Sequence, residues 1–167
     1  KWIQMTDGSW KYRTLQGYVE NSWLKLGRNW WYFNEDGRMH TGWFLYGNRW
    51  YYRYPDGTYL KNGWGFIGNI WYLFDANGMM LTGWQMKNGV YYYMNGDGKM
   101  QTGWLLYNNT WYYLSESGAM VTGWITLGDK AYYLGGDGGM LTGWQNIDGQ
   151  IYYLYPDGHK AVNEVID

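Results

Sequence analysis

Aromatic side chains at a fixed spacing are the residues of this sequence best suited to holding a ligand. A Trp recurs every 20 or 21 residues, and in most copies a second Trp or Tyr follows it by seven residues. The electron-rich faces of such rings attract cations that cannot donate hydrogen bonds, and they also stack on sugars. The recurring Trp residues are Trp2, Trp23, Trp43, Trp64, Trp84, Trp104, Trp124 and Trp144.

The residues that follow each repeated Trp predict a two-stranded β-hairpin. A pair such as Gly47-Asn48 comes four residues after the Trp, and these residue types tolerate the positive φ that tight hairpin turns need. Folding about this turn pairs Trp43 with Tyr52 and places Trp50 on the same face of the hairpin. A second turn, such as Asp56-Gly57, then leads the chain to the next hairpin.

Stacking of consecutive hairpins is required, because an isolated hairpin is marginally stable in water. We therefore expect an all-β fold, a solenoid or superhelix of stacked two-stranded β-hairpins built from repeats of about 20 residues. A single array of eight hairpin units is predicted over residues 1–160, with a C-terminal tail at 161–167. The Tyr residues on the opposite hairpin face are assigned to the solenoid interior: Tyr51, Tyr72, Tyr92, Tyr112, Tyr132 and Tyr152.

Charge and composition argue against several classes of partner. The chain has 13 Lys and Arg against 14 Asp and Glu, so it lacks the basic stripe that nucleic acid binding needs. No apolar run approaches the roughly 20 residues that cross a bilayer, so membrane insertion is not expected. Cysteine is absent, which excludes disulfides and thiolate metal sites. The chain opens without a signal-peptide pattern, so we expect a mature form or a fragment of a longer protein.

Catalytic and metal-binding patterns are also missing from the sequence. His40 and His159 stand at different positions of their repeats, and neither shares a recurring arrangement with a Ser nucleophile. We therefore expect no enzyme activity, no catalytic residue, no metal and no cofactor. The recurrent acidic residues precede a turn Gly and are interpreted as turn formers: Asp36, Asp56, Asp97, Asp137 and Asp157.

The stretch from Thr102 to Trp124 carries the pattern that identifies a family. It reads Thr-Gly-Trp, then Trp-Tyr-Tyr-Leu, then a Gly and a Met before the next Thr-Gly-Trp. This pattern resembles the choline-binding, or cell-wall-binding, repeats of pneumococcal surface proteins, autolysins and phage lysins. The resemblance implies a non-catalytic module that binds phosphocholine of teichoic and lipoteichoic acids. It also implies an extracellular, cell-wall-associated protein that is anchored to a Gram-positive wall.

The family holds choline in boxes between consecutive hairpins, made of two aromatic residues of one hairpin and one Tyr of the next. Carried over to this chain, boxes 2, 4 and 6 keep the full pattern, and box 5 replaces one Trp by Tyr. These four boxes are Trp23, Trp30 and Tyr52; Trp64, Trp71 and Tyr93; Trp104, Trp111 and Tyr133; and Trp84, Tyr91 and Tyr113. A recurrent Met is expected to close the boxes, at Met39, Met80, Met100 and Met120.

Boxes 1, 3 and 7 depart from the family pattern. Box 1 contains an extra residue that changes its geometry, box 3 has Leu in place of Tyr and is expected to be weak, and box 7 has Ala131 in place of an aromatic wall and is expected to bind choline poorly. Their members are Trp2, Trp10 and Tyr32; Trp43, Trp50 and Leu73; and Trp124 and Tyr153. The eighth hairpin, with Trp144 and Ile151, is predicted to be a cap or the contact of a homodimer.

Three other functions are consistent with the same residues. Aromatic and Gly repeats also occur in glucan-binding modules of surface proteins, toxins and glucansucrases, so a carbohydrate-binding module is the alternative within the binding class. The chain could equally be the binding half of a lytic enzyme whose catalytic domain lies outside this sequence. A structural or adhesive spacer is the third reading.

Overall fold

The computed structural model describes residues 1–162, and within that range the chain consists of strands and turns with no helix. In the described residues no helix of the length and apolarity needed to cross a membrane occurs. The strands are β1 (Trp2–Gln4), β2 (Trp10–Thr14), β3 (Gly17–Tyr18), β4 (Ser22–Leu26), β5 (Asn29–Phe33), β6 (Gly42–Tyr46), β7 (Arg49–Arg53), β8 (Gly63–Ile67), β9 (Ile70–Phe74), β10 (Gly83–Lys87), β11 (Val90–Met94), β12 (Gly103–Tyr107), β13 (Thr110–Leu114), β14 (Gly123–Leu127), β15 (Lys130–Leu134), β16 (Gly143–Ile147) and β17 (Gln150–Leu154).

Consecutive strands pair as antiparallel hairpins, which confirms the predicted all-β fold of successive two-stranded hairpins. Within residues 1–162 these are hairpins 1 to 8, namely β1 with β2, β4 with β5, and so on to β16 with β17. The register is the predicted one: Trp43 pairs with Tyr52, and Leu45 pairs with Trp50. Hairpin 1 differs from the others because β3 adds a third strand to its sheet.

The hairpin turns have the backbone that their sequences predict. In five of the described hairpins both central turn residues have positive φ, as in Gly47 at 55° and Asn48 at 58°. Positive φ at both positions is the signature of the type I′ turn, whose twist matches that of the paired strands. Gly, Asn and Asp therefore set the hairpin ends.

Two compact units divide the chain, Lys1–Leu81 and Thr82–Asp167. The first contains hairpins 1 to 4 and the second contains hairpins 5 to 8. Most of the tail predicted at 161–167 lies outside the described residues, which end at residue 162. The two units are described separately below.

A single buried column forms the interior of each unit. Its members end the second strand of each hairpin: Phe33, Arg53 and Phe74 in the first unit, and Met94, Leu114, Leu134 and Leu154 in the second, all at most 2% exposed. The interior is therefore two residues later in the repeat than predicted. The Tyr residues that were assigned to it mostly retain partial exposure and face the neighbouring hairpin, as shown below.

Backbone hydrogen bonds connect hairpins 1, 3, 5, 6 and 7 to the linker that follows the next hairpin. In the second unit the Met120 amide donates to the Tyr91 carbonyl at 2.8 Å, and the Met140 amide donates to the Trp111 carbonyl at 2.7 Å. In the first unit the Met80 amide reaches the Trp50 carbonyl at 2.8 Å. Each of these Met residues follows one hairpin and is held beside the second strand of the hairpin before it.

The turn that leads from one hairpin to the next requires Gly for two reasons. Gly158 has a φ of 88°, and a Cβ built on it would lie 2.2 Å from the Met140 Sδ atom. Gly138 meets the Met120 sulfur in the same way, at 2.4 Å. The Asp-Gly pair therefore marks a turn. Its Gly also lies in close contact with the Met side chain of the preceding linker.

Candidate ligand-binding boxes

Two Trp residues of one hairpin form the corner of most boxes. In boxes 1, 3, 4 and 6 the rings are perpendicular, with centroids 6.3 to 6.4 Å apart and interplanar angles of 84° to 89°. The cause is the strand register, which places the repeated Trp and the Trp of the second strand diagonally on one hairpin face. The same corner recurs in both units.

The third ring of each box differs from the predicted one. Tyr132 lies 5.1 Å from Trp104, and Tyr112 lies 5.0 Å from Trp84, both measured between ring centroids. Tyr133, the predicted third member of box 6, instead packs 5.0 Å from Trp124 within its own hairpin. The prediction is therefore wrong by one residue in the position of the third ring.

The same correction applies to every box whose residues lie within one unit. The predicted residues Tyr32, Tyr52, Leu73, Tyr113, Tyr133 and Tyr153 pair with the repeated Trp of their own hairpin. The rings that instead face the preceding hairpin are Trp31, Tyr51, Tyr72, Tyr112, Tyr132 and Tyr152.

Front-to-back stacking explains the shift. The face of one hairpin that carries the two Trp residues contacts the opposite face of the next hairpin. Since successive side chains of a strand point to opposite faces, the contacting ring must come one residue earlier than a ring on the Trp face. Tyr132 is opposite Ile125 in its hairpin, whereas Tyr133 is opposite Trp124.

Box 3 gains its third ring from this correction. Tyr72 lies 4.7 Å from Trp43, and the Met80 amide is bonded to the carbonyl of Trp50. Leu73, the predicted weak point of this box, instead pairs with Trp64 and is 3% exposed. The expectation that a Leu replaces a wall of box 3 is therefore wrong.

Boxes 1 and 6 are cavities of similar size that open to solvent. Box 1 has a volume of about 240 Å³ and is lined by Trp2, Trp10, Trp31, Met39 and Asp56. Box 6 has a volume of about 290 Å³ and is lined by Trp104, Trp111, Tyr132, Met140 and Asp157. The extra residue in hairpin 1 leaves the arrangement of box 1 unchanged, contrary to the expectation of a changed geometry.

Box 5 has a Tyr in the place of the second Trp and a larger volume of about 440 Å³. Its wall includes Tyr107, which the sequence analysis did not identify. The complete lining is Trp84, Tyr91, Tyr107, Tyr112, Met120, Gly136 and Asp137.

A carboxylate at the edge of boxes 1, 5 and 6 is the main feature that the sequence analysis missed. Asp56, Asp137 and Asp157 come from the turn after the second hairpin beyond the one that carries the repeated Trp of the box, so the period of a single repeat does not show them beside the rings. Such a carboxylate supplies a negative charge beside a ring-lined cavity. It also makes these boxes electrostatically suited to a cation.

The ionised form of Asp157 is favoured by its neighbours. His159 Nδ1 contacts its Oδ1 atom, and this hydrogen bond lowers the pKa of Asp157, to which the nearby Lys130 charge adds. Lys130 Nζ lies 3.6 Å from Oδ2. Asp56 is also held charged, because hydrogen bonds from the backbone and side chain of Thr58 lower its pKa.

Box 7 contains a cation from the chain itself. Lys160 stands at the position of the recurrent Met, and its Nζ atom lies 5.6 Å from the ring centroids of both Trp124 and Tyr152. Its amide donates to the carbonyl of Ala131 at 2.7 Å, so the linker has the same backbone path as in the Met-bearing boxes. The two rings are 5.0 Å apart.

Box 2 is built differently from the other boxes of the first unit. Six aromatic residues line a cavity of about 540 Å³: Trp23, Trp30, Phe44, Tyr46, Tyr51 and Tyr59. Tyr59 takes the place of the recurrent Met, and its hydroxyl donates to the Trp30 carbonyl at 3.2 Å. Tyr52, which the sequence assigned to this box, packs 5.3 Å from Trp43.

The remaining predicted residues divide between the units. In hairpin 4 of the first unit, Trp64 and Trp71 form the perpendicular corner of box 4, whose third wall stays a prediction. In the second unit Tyr93 packs 5.3 Å from Trp84, and the Met100 sulfur packs against Gly118. In hairpin 8, Trp144 and Ile151 are 61% and 63% exposed, and their predicted role as a cap or homodimer contact also stays a prediction.

Among residues 1–162 no cluster of three or more His, Cys, Asp or Glu side chains is arranged to hold a metal ion. The ring-lined cavities, three of them with an Asp in the lining, are the candidate ligand sites. Rings contribute cation–π attraction, the Met thioether adds an uncharged wall, and Asp adds a full charge.

Family models match most of the chain. A choline-binding repeat model matches residues 21–64, 81–122 and 121–165, and a cell wall binding repeat model matches residues 62–80. No match was found among curated proteins.

Solved structures with the same fold come from Streptococcus pneumoniae. Choline binding protein F is 38% identical, with a TM-score of 0.78 over 90% of this chain. CbpJ is 34% identical, with a TM-score of 0.83 over the full chain. The chain spans 54% and 65% of the lengths of these two proteins. The modular autolysin LytC, 24% identical with a TM-score of 0.65 over 98% of this chain, shares the fold. The chain belongs to the choline-binding repeat family.

Proposed function

We propose that this chain is a non-catalytic module whose boxes bind choline, as phosphocholine groups of teichoic and lipoteichoic acids, and which anchors a protein to a Gram-positive cell wall. The observation that carries the proposal is the perpendicular Trp corner of box 6, closed by Tyr132 and Met140 and edged by Asp157. A quaternary ammonium donates no hydrogen bond, so rings and a nearby carboxylate are the groups that attract it.

Several boxes on one chain are central to the proposed anchoring. One cation–π contact contributes roughly 0.5 to 2 kcal/mol, so a single box binds weakly. A teichoic acid carries many choline groups, and engagement of several boxes raises the avidity by about two to four orders of magnitude. Boxes 1, 3, 5 and 6 are the binding sites in this proposal.

Box 7 is proposed not to bind choline. The sequence motivates this through Ala131, and Lys160 adds a second reason, since its ammonium lies over the rings that choline would use. A cation entering the box would have to displace another cation of the same charge. The missing aromatic wall and the Lys160 ammonium both lower the expected affinity of box 7 for choline.

Retention on a choline-derivatised resin tests the proposed function. We expect the folded chain to bind the resin and to elute with free choline, but not with an equal concentration of sodium chloride, which controls for simple ion exchange. Passage of a folded sample through the column without retention would contradict the proposal. Murein hydrolysis by this chain alone would contradict its non-catalytic part.

The cell-wall part of the proposal has its own experiment. A fluorescent fusion of the chain should decorate bacterial walls that carry phosphocholine, and free choline should release it. Walls of the same strain grown with ethanolamine in place of choline are the matched control, because ethanolamine lacks the three methyl groups. Equal decoration of both walls would argue against choline as the anchor.

A further inference from the structure

Box 2 departs from the other boxes in its lining. Its volume of about 540 Å³ compares with about 240 Å³ in box 1, and neither a Met nor a carboxylate is among the six residues that line it. All six lining residues are aromatic, and three of them, Tyr46, Tyr51 and Tyr59, carry a phenol hydroxyl. The cavity combines wide flat walls with polar tips.

A buried cation lies directly behind this box. Arg53 occupies the interior position that Phe33 and Phe74 hold in the neighbouring hairpins of the same unit, and it is 1% exposed. Its guanidinium lies 4.0 Å from the ring centroid of Tyr59, and its Nη2 donates to the Trp30 carbonyl at 2.8 Å. Within residues 1–162 no carboxylate forms an ion pair with Arg53.

A second cation lies over another wall of the box. Lys25 Nζ is 5.8 Å from the ring centroid of Trp30. Two of the six rings therefore already hold a positive charge.

Boxes 1, 5 and 6 differ from box 2 because an Asp lines each of them. Arg53 also lies 4.9 Å from the Trp31 ring centroid of box 1, and Lys130 lies beside Asp157 of box 6, so the carboxylate is the feature that separates these boxes from box 2. A quaternary ammonium in box 2 would meet two like charges and no carboxylate within the lining.

An uncharged flat ligand avoids this repulsion. The apolar face of a pyranose ring stacks on indole and phenol rings, and its hydroxyls can hydrogen-bond to phenol groups of the lining such as those of Tyr46 and Tyr51. The width of box 2 accommodates a ring larger than a trimethylammonium group. We propose that box 2 is a subsite for an uncharged sugar ring of a glycan, and that it does not take choline.

This inference goes beyond the proposed choline binding and fails or succeeds independently of it. The test uses the full chain labelled with ¹⁵N and follows the indole N–H resonances of the Trp residues. Trp30→Phe and Trp111→Phe identify the resonances that report on boxes 2 and 6. The probes are a tetrasaccharide of N-acetylglucosamine and choline chloride.

The two titrations should give opposite patterns. We expect the tetrasaccharide to shift the Trp30 resonance, and choline to shift the Trp111 resonance at a concentration at least tenfold below any that moves Trp30. Choline moving both resonances with one midpoint would overturn the proposal, as would a Trp30 resonance that the tetrasaccharide leaves unmoved. A Trp111 resonance unmoved by choline would instead count against the proposed function.

Variants of Arg53 and Lys25 test whether these two cations are the reason that box 2 does not take choline. Arg53→Met introduces the residue that stands at the same interior position in hairpin 5, and it should increase the choline response of Trp30 at least fivefold. Lys25→Gln, at the surface, should increase it about twofold and serves if the Arg53 variant does not fold. No gain in either variant would overturn the electrostatic explanation. Trp30→Ala should abolish tetrasaccharide binding, whereas Trp144→Ala, which removes an exposed Trp outside the boxes, should not.

Discussion

Boxes 6 and 7 are one repeat apart in the second unit. Two of their wall positions differ, and Asp157 is present in the lining of box 6 in addition. Trp111 and Met140 of box 6 correspond to Ala131 and Lys160 of box 7, while the stacked pairs Trp104 with Tyr132 and Trp124 with Tyr152 have nearly the same spacing. The backbone hydrogen bond from the linker is also the same. The hairpin scaffold therefore tolerates changes of its walls, and the identity of two side chains decides whether a box is open or filled by its own chain.

The largest expected effect concerns the turn that closes box 6. Gly158→Ala should lower the free energy of unfolding by roughly 2 to 4 kcal/mol, because the new Cβ is strained at a φ of 88° and overlaps the Met140 sulfur. Gly149→Ala is the matched control: its φ is 81°, but nothing lies within 4 Å of the added Cβ. Urea unfolding of both variants measures the difference. Equal losses of unfolding free energy in the two variants would show that backbone strain alone causes the destabilisation.

Converting box 7 into a copy of box 6 sharpens the comparison most directly. Ala131→Trp combined with Lys160→Met restores the missing ring and removes the internal cation. We expect choline affinity at this box to rise about thirtyfold, or roughly 2 kcal/mol, and calorimetry to count one additional site. An unchanged number of sites would mean that a further feature closes box 7.

The reverse change should convert box 6 toward box 7. Trp111→Ala removes the second ring of the corner and should weaken choline binding at that box about tenfold, or roughly 1.4 kcal/mol. The chemical shift of the Tyr132 ring measures this on titration with choline. The control is Ile151→Ala, which trims the corresponding side chain of hairpin 8, where 63% of Ile151 is exposed. A wild-type midpoint in Trp111→Ala would remove Trp111 from the site.

The smallest expected effect comes from the charge of Asp157. Its pKa is lowered by the hydrogen bond from His159, so the carboxylate stays ionised at neutral pH and through the usual Asp range near about 4. Because the folded-state pKa is the lower one, the attraction for choline should be lost only as the pH falls below that range. Asp157→Asn should weaken binding two- to threefold at neutral pH and remove the acid-dependent loss. A persistent loss would point to another group.

Repetition made most of the fold predictable from the sequence. The hairpin turns, the register of Trp43 with Tyr52 and the position of the recurrent Met all follow from one residue pattern that is repeated at constant phase. Such a pattern defines each hairpin locally. It also requires neighbouring hairpins to bury one another's rings, which is the origin of the stacked arrangement.

The composition of the boxes was less predictable, because it depends on how hairpins meet. Tyr132 and Tyr133 are adjacent and chemically identical, and only the stacking of front on back selects the first of them. The Asp residues were harder still, since Asp157 serves as a turn former and lies beside rings of a hairpin two repeats earlier. Lys160 stands where most repeats have Met, and no sequence signal shows its position over two rings.

The lining of box 6 also joins distant parts of the chain. The lining of this box extends from Trp104 to Asp157, across hairpins 6 and 7 and the turn after hairpin 8. A ligand in the box therefore contacts segments that are far apart in sequence and holds them together without a covalent bond. Ligand at about 100 times its dissociation constant adds about 2.7 kcal/mol to the stability of the folded state. Choline should thus raise the melting temperature of the second unit and protect it from proteolysis, whereas a peptide of one repeat should neither fold nor bind.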